Sequence, residues 1–260
     1  MQAQGPLSVM PLQGMPLFAP GMSIAGEVVA AVLREGDVLR PGDIVVVAQK
    51  IVSKAEGRLV CLADVEAGEA ARELAAKTAR EPQMAQLILN ESSEILRATP
   101  AAIIARHKTG HVLANAGIDA SNIQYGAGGT VLLWPQDPDA SARAIRAELA
   151  DLTCVRPAIV IADSLGRAWR IGTVGAAIGC AGLCVLDDRR GTGQDLFGRT
   201  LQATVIAVAD AVAAAAVLVM GEGAEGTPAA LVRGGGHWVS DQDGPGAVRA
   251  LRPQVEDMFR

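Results

Sequence analysis

Two short segments carry the residues best suited to chemistry. Asn115-Ala-Gly-Ile-Asp-Ala-Ser-Asn122 and Ala162-Asp-Ser-Leu-Gly-Arg-Ala-Trp-Arg170 each set a carboxylate, Asp119 or Asp163, beside small polar residues and glycine. Both follow apolar runs that read as strands. Carboxylates at strand ends, with side-chain oxygens nearby, suit a hard divalent cation held against phosphate oxygens. Ser164 adjoins Asp163 and adds an oxygen, while Asn122 lies three residues past Asp119, placed to meet a base or a phosphate. Helix capping or turn formation would explain the same residue types equally well.

Glu222 and Glu225 stand in Met220-Gly-Glu-Gly-Ala-Glu-Gly-Thr-Pro228. The glycines permit positive φ and close backbone approach, which suits a loop folded around a ligand, although a helix cap followed by a turn is the plainer reading. Lys50 and Lys54 follow an apolar run at a strand exit, where they either neutralise phosphate or are simply solvated. Arg167, Arg170, Arg189, Arg190 and Arg199 fall in glycine-containing stretches and suit either anion binding or structural ion pairs. His107 and His111 bracket a turn and read as surface residues, as does His237. No GxxxxGK[ST] occurs, and no GxGxxG follows a strand with an acidic partner, so neither a P-loop nor a Rossmann turn is expected.

These residues need a frame. Helix-like sequence at 23–34 leads through Pro41-Gly42 to Ile44–Ala48, a β-branched run apolar on both faces, as in a buried strand. Residues 66–80 are helical by composition. Pro82 opens a second helix, expected to run through Arg97 and end before Pro100. Residues 101–105 and 112–114 alternate like a hairpin. Further strands are expected at 132–134, 158–162 and 229–232, with helices from Pro135–Pro138 to about 152, from about 196 to 220, and briefly after Pro245. Strict βαβ alternation fails between 100 and 134, so the fold expected is α/β of an irregular α+β kind, with mixed sheets.

At 260 residues the chain can form one large domain, with room for two subdomains. Half of it is hydrophobic but only 3% aromatic, so Ala, Val, Leu and Ile must fill the core. The net charge of −5 and the lack of a Lys/Arg cluster argue against a nucleic-acid partner. Cys61, Cys154, Cys180 and Cys184 form no CxxC pair and read as buried, reduced thiols, from which a cytoplasmic location follows. Residues 203–220 are apolar but alanine-rich and interrupted by Asp210; a buried helix is the better reading than a membrane span.

The segments GDIVVVAQKIVSKAEGR (42–58), NESSEILR (90–97), GHVLANAGIDASN (110–122), ADSLGRAWRIGTVGAAIGCAG (162–182) and VMGEGAEGTPAALVRG (219–234), in this order, resemble the coenzyme F420-0:L-glutamate ligase family. The likeness extends from about Gly14 to Gly234. It implies addition of L-glutamate to coenzyme F420-0, dependent on GTP and on Mn2+ or Mg2+ (two ions), with K+ as a further activator. Later glutamates would be γ-linked. It also implies a non-P-loop α/β fold in an intertwined homodimer. By this resemblance Asp119, Asp163, Ser164 and Glu222 hold metal, Ser164 standing where the motif usually has threonine. Nucleotide contacts carried over are Gly14, Met15, Pro16 and Leu17, with Met15 replacing the more usual leucine. Gln49, Lys50, Lys54, Asn122, Met220, Gly221, Gly223, Glu225, Gly226 and Thr227 complete them. The catalytic base is not assigned. A nitroreductase-like flavin domain, present in some bacterial relatives, is not expected after Arg260. The alternatives are an amide ligase of another cofactor pathway and a non-catalytic nucleotide-binding module.

Overall fold

The computed structural model describes residues 5–123 and 129–257. In chain order its main elements are β1 (Ser8–Pro11), α1 (Ile24–Arg34), β2 (Ile44–Ala48), α2 (Gln49–Ala55), β3 (Leu59–Cys61), α3 (Glu69–Thr78), α4 (Pro82–Glu91) and β4 (Ser92–Ala98). There follow β5 (Ile103–His107), β6 (Val112–Ala114), β7 (Thr130–Leu132), α5 (Pro138–Thr153), β8 (Ala158–Arg167), β9 (Arg170–Ala181), β10 (Leu186–Asp188), β11 (Val205–Ala207), α6 (Val208–Met220) and β12 (Ala229–Arg233). The fold is α/β with mixed sheets.

The main sheet has the order β1-β12-β2-β8-β9, with β2 and β8 parallel and the other neighbours antiparallel. Strand β2 shows why its sequence is apolar throughout. Val45 and Val47 join a core built with α1 and α5, whereas Ile44 and Val46 join a second core under α6. A strand covered on both faces loses the alternation of a half-solvated one. Local chemistry starts the helices: Ser23 Oγ accepts from Gly26 N–H at 2.8 Å, and Asp137 caps α5 with Pro138 in its first turn. A third cluster packs α3 and α4 against β5 and β7.

Several sequence expectations are corrected. The helix opened by Pro82 stops at Glu91; Ser92–Ala98 is a strand because it pairs antiparallel with β5. Residues 196–207 are not helical: Val205–Ala207 pairs with Leu186–Asp188, and α6 begins only at Val208. The polar run after β2 forms the helix Gln49–Ala55. Strand β8 does not end at Asp163 but continues to Arg167, paired with β9, which lacked a clear apolar pattern. His107 and His111 are buried, because their hairpin turn packs against Trp134. Of the cysteines, all free, Cys180 is buried, Cys61 is half-buried, and Cys154 and Cys184 are exposed. Cys154 is the left-handed C-cap of α5, at an exposed helix end flanked by Asp151 and Arg156. Among the described residues no helix is long and apolar enough to cross a membrane, and α6 instead buries Val212, Ala213 and Ala216 on the sheet.

Candidate active site

A cleft of about 760 Å³ opens where β2, β8 and the end of α6 meet the turn after β6. It is lined by Asp119, Asn122, Asp163, Ser164, Glu222, Gln49, Lys50 and Lys54. Met15, Pro16 and Leu17 border it too, as do Met220, Gly221, Gly223, Glu225, Gly226 and Thr227. Thus the metal and nucleotide candidates carried over from the family resemblance line one cleft, except Gly14, whose neighbour is Arg34. Its volume is in the range of small-molecule sites.

Asp163 follows a bulge in the β8–β9 pairing. Ile161 opposes Gly179 and Ala162 opposes Ala177, so Ile178 is the extra residue. Such an irregularity re-aims the side chains beside it. Both carboxylate oxygens of Asp163 are engaged: Oδ1 accepts from the Ser164 N–H and Oδ2 from the Trp134 indole N–H, each at 2.8 Å. Loss of hydration pushes this carboxyl up to about 6, against the pull of those two hydrogen bonds.

Asp119 has a different setting. Its Oδ1 accepts from Ser121 N–H at 2.6 Å, and its Oδ2 pairs with Lys50 Nζ at 2.8 Å. Burial raises its pKa, but the Lys50 and Ser121 hydrogen bonds and the Lys50 charge outweigh it, holding Asp119 below its ordinary value. Lys50 also donates to Ser121 Oγ at 2.7 Å. Lys54 donates to the Asn122 carbonyl at 2.8 Å; burial, then the nearby Lys50 charge, lowers its pKa. Across the cleft, Ser164 Oγ hydrogen-bonds Glu222 Oε1, and Glu225 accepts from Gly223 N–H at 2.7 Å.

The donor set suits a hard cation. Asp119, Asp163, Ser164 and Glu222 offer only oxygens, and Asp163 accepts no hydrogen bond from Lys or Arg among the described residues. A desolvated carboxylate with only neutral donors is stabilised by a nearby positive charge. No group of three His, Cys, Asp or Glu side chains forms a ready-made metal cage among the described residues. Magnesium sites commonly take only one or two carboxylates and complete their shell with phosphate and water.

The arginines do not join this cleft. Arg189 pairs with Asp187 at 2.8 Å and Arg190 with Asp188 at 2.5 Å. Sequence reasoning missed Trp134 and Ser121. A signal existed for each: an Asp-x-Ser turn at 119–121, and the need of any buried indole N–H for an acceptor.

A family model for F420-0:gamma-glutamyl ligase matches residues 14–234. The chain is 43% identical over 256 residues to the coenzyme F420:L-glutamate ligase of Methanothermobacter thermautotrophicus, covering 98% of this chain and 99% of that one. It is 42% identical over 236 residues to that of Methanopyrus kandleri, covering 90% and 92%. It is 40% identical over 255 residues to that of Archaeoglobus fulgidus, covering 98% and 96%. With an α/β fold and these relatives, the protein is an amide-forming ligase. The chain belongs to the F420-0:gamma-glutamyl ligase family.

Proposed function

We propose that this protein joins L-glutamate to coenzyme F420-0 at the expense of GTP, and adds further glutamates through γ-linkages. The observation carrying this reading is the convergence of Asp119, Asp163, Ser164 and Glu222 with Lys50, Lys54 and a glycine-rich loop around one cleft. A carboxylate does not condense with an amine at neutral pH until it gains a leaving group. A carboxylate oxygen of the acceptor attacks the γ-phosphorus of GTP; the bond to the bridging oxygen breaks and GDP departs. The amine of glutamate then attacks the acyl phosphate carbonyl, the amine proton is lost, and inorganic phosphate leaves as the amide forms.

In this scheme Lys50 and Lys54 neutralise phosphate oxygens. The loop 220–227, with positive φ at Gly221 and Gly226, brings backbone N–H groups close to the nucleotide. Asn122 orients the nucleotide from the opposite wall. Asp119, Asp163, Ser164 and Glu222 would hold Mn2+ or Mg2+, two ions in all. When bound, the cations supply charge neutralisation at the phosphates. We also propose K+ as an activator, a cytoplasmic location and a homodimer. Trp169, Ile171, Leu196 and Phe197, all at least 85% exposed, support the last point, since apolar side chains so placed suit burial against a second copy.

The deciding experiment is mass spectrometry of purified protein incubated with coenzyme F420-0, L-glutamate, GTP and Mn2+. Products heavier by one or more glutamyl units, absent without GTP, are expected. Absence of product beside an active control enzyme would reject the assignment.

A further inference from the structure

We propose that Trp134 is a positioning residue of this ligase: through its indole, and through the strand β7 that leads into it, it sets Asp163 and Asp119 in register at the cleft. The proposal rests on the reading that these two aspartates hold the divalent cation.

Trp134 lies two residues past β7 and is fully buried. Its indole N–H donates to Asp163 Oδ2 at 2.8 Å, while the other oxygen is held by the Ser164 N–H. Two fixed donors on different oxygens leave the carboxylate little freedom to rotate. The end of β7, two residues before Trp134, holds Asp119 through its backbone. Asp119 N–H donates to the Leu132 carbonyl at 3.1 Å, and Leu132 N–H returns to the Asp119 carbonyl at 2.8 Å. One short segment, 132–134, therefore grips both carboxylate-bearing segments, which are 44 residues apart in sequence by their own numbers (163 − 119).

The indole is itself immobilised. The His107 and His111 rings stand against it, with centroids at 5.2 and 5.4 Å. Thr109 Oγ1 ties the two imidazoles together, lying 2.9 Å from each Nδ1. Arg58 Nε donates to the Trp134 carbonyl at 2.9 Å, and Arg58 is in turn paired with Glu91. Gly117, two residues before Asp119, provides the remaining contact. Its φ is +74°, and a Cβ there would sit 2.4 Å from the indole nitrogen. Only glycine lets the Asp119 turn approach the ring this closely. Ligands of a metal keep their geometry through such outer contacts, whose loss typically costs about 10- to 100-fold in affinity.

The test is Mn2+ binding, followed by electron paramagnetic resonance in the presence of a non-hydrolysable GTP analogue, for the wild type, Trp134→Phe and Asp119→Asn. Trp134→Phe keeps an aromatic ring and loses the N–H. We expect its Mn2+ affinity to fall roughly 10-fold or more, with turnover largely restored by excess Mn2+. Should that variant not fold, a benzothiophene isostere placed at Trp134 keeps the bicyclic shape without the N–H, and the same loss is expected. Equal Mn2+ affinity of the wild type and the N–H-less protein would overturn the positioning role while leaving the metal reading intact. Turnover that stays low at every Mn2+ concentration would point to general loosening and also overturn it. A wild type that binds Mn2+ no better than Asp119→Asn would remove the metal reading and this proposal together.

Discussion

The Asn122 side-chain amide donates to the Gly223 carbonyl at 3.2 Å, linking residues 101 positions apart. This contact closes the cleft from one wall to the other. Asn122 adopts φ +56°, a left-handed conformation that asparagine tolerates better than most side chains. Lys54 Nζ anchors the same residue by donating to its carbonyl oxygen at 2.8 Å. Asn122→Ala removes the cross-cleft bond and adds backbone strain. The KM for GTP should rise roughly 5- to 10-fold, about the worth of one hydrogen bond, with a smaller change in kcat. A KM within twofold of wild type would show that this wall is not part of the nucleotide site.

Asp119 is held as a carboxylate by Lys50 and Ser121. Asp119→Asn preserves its size but removes the charge. Turnover should fall on the order of 100-fold or more, the scale of losing one electrostatic contributor to a phosphoryl-transfer site. The melting temperature should change little, because Asp119 is only partly covered and its backbone bonds to Leu132 remain. Steady-state kinetics beside a thermal melt separates the two effects, and near-wild-type turnover would reject the assignment of Asp119.

The sequence made the central strands legible because their apolar runs carry the fold's strongest signal. Ile44-Val-Val-Val-Ala48 and Ala158-Ile-Val-Ile-Ala162 are buried on both faces. Strand β9 was not legible. Arg170-Ile-Gly-Thr-Val-Gly-Ala-Ala-Ile-Gly-Cys-Ala181 holds several glycines and an exposed first half, and only pairing with β8 makes it extended. Ser92–Ala98 failed for the same reason: its local sequence tolerates helix, and its partner β5 decides. In the site, Asp119, Asp163 and Glu222 announced themselves as carboxylates beside glycine and small polar residues. Trp134 did not, because nothing local says which acceptor a buried indole will find. The buried histidines escaped for a related reason, as their burial depends on a ring contributed from beyond their own hairpin.

His111 gives the protein a pH dependence that can be measured without substrate. Burial, and then the neighbouring His107, lower its pKa from 6.5 to about 4. The unfolded chain therefore takes up a proton in that window that the folded chain refuses. Stability is fully present above about 6.5 and declines as pH falls towards 4, by on the order of 2–3 kcal/mol over the window. Urea melts at several pH values should show this slope, and His111→Asn should flatten it. Parallel slopes for the two proteins would mean that other groups carry the acid sensitivity.

Gly175 separates packing from chemistry. A Cβ at this position of β9 would lie 2.5 Å from the Ala213 carbonyl oxygen and 2.7 Å from Val217 Cγ2, both on α6. Helix and sheet touch backbone to backbone there, so a methyl group must push α6 outward. Gly175→Ala should cost roughly 1–3 kcal/mol, the usual penalty for overpacking a well-filled contact. Gly166 is the control: a Cβ there meets nothing within 4 Å, and Gly166→Ala should leave stability nearly unchanged. Because α6 ends at Met220 and delivers the loop bearing Glu222 to the cleft, its displacement should also raise the KM for GTP in Gly175→Ala. Denaturant melts and initial-rate kinetics on the two variants check both halves. Equal stability of the two would contradict the close approach of α6 to β9. A destabilised Gly175→Ala with an unchanged KM would show that the loop holds its place without the helix.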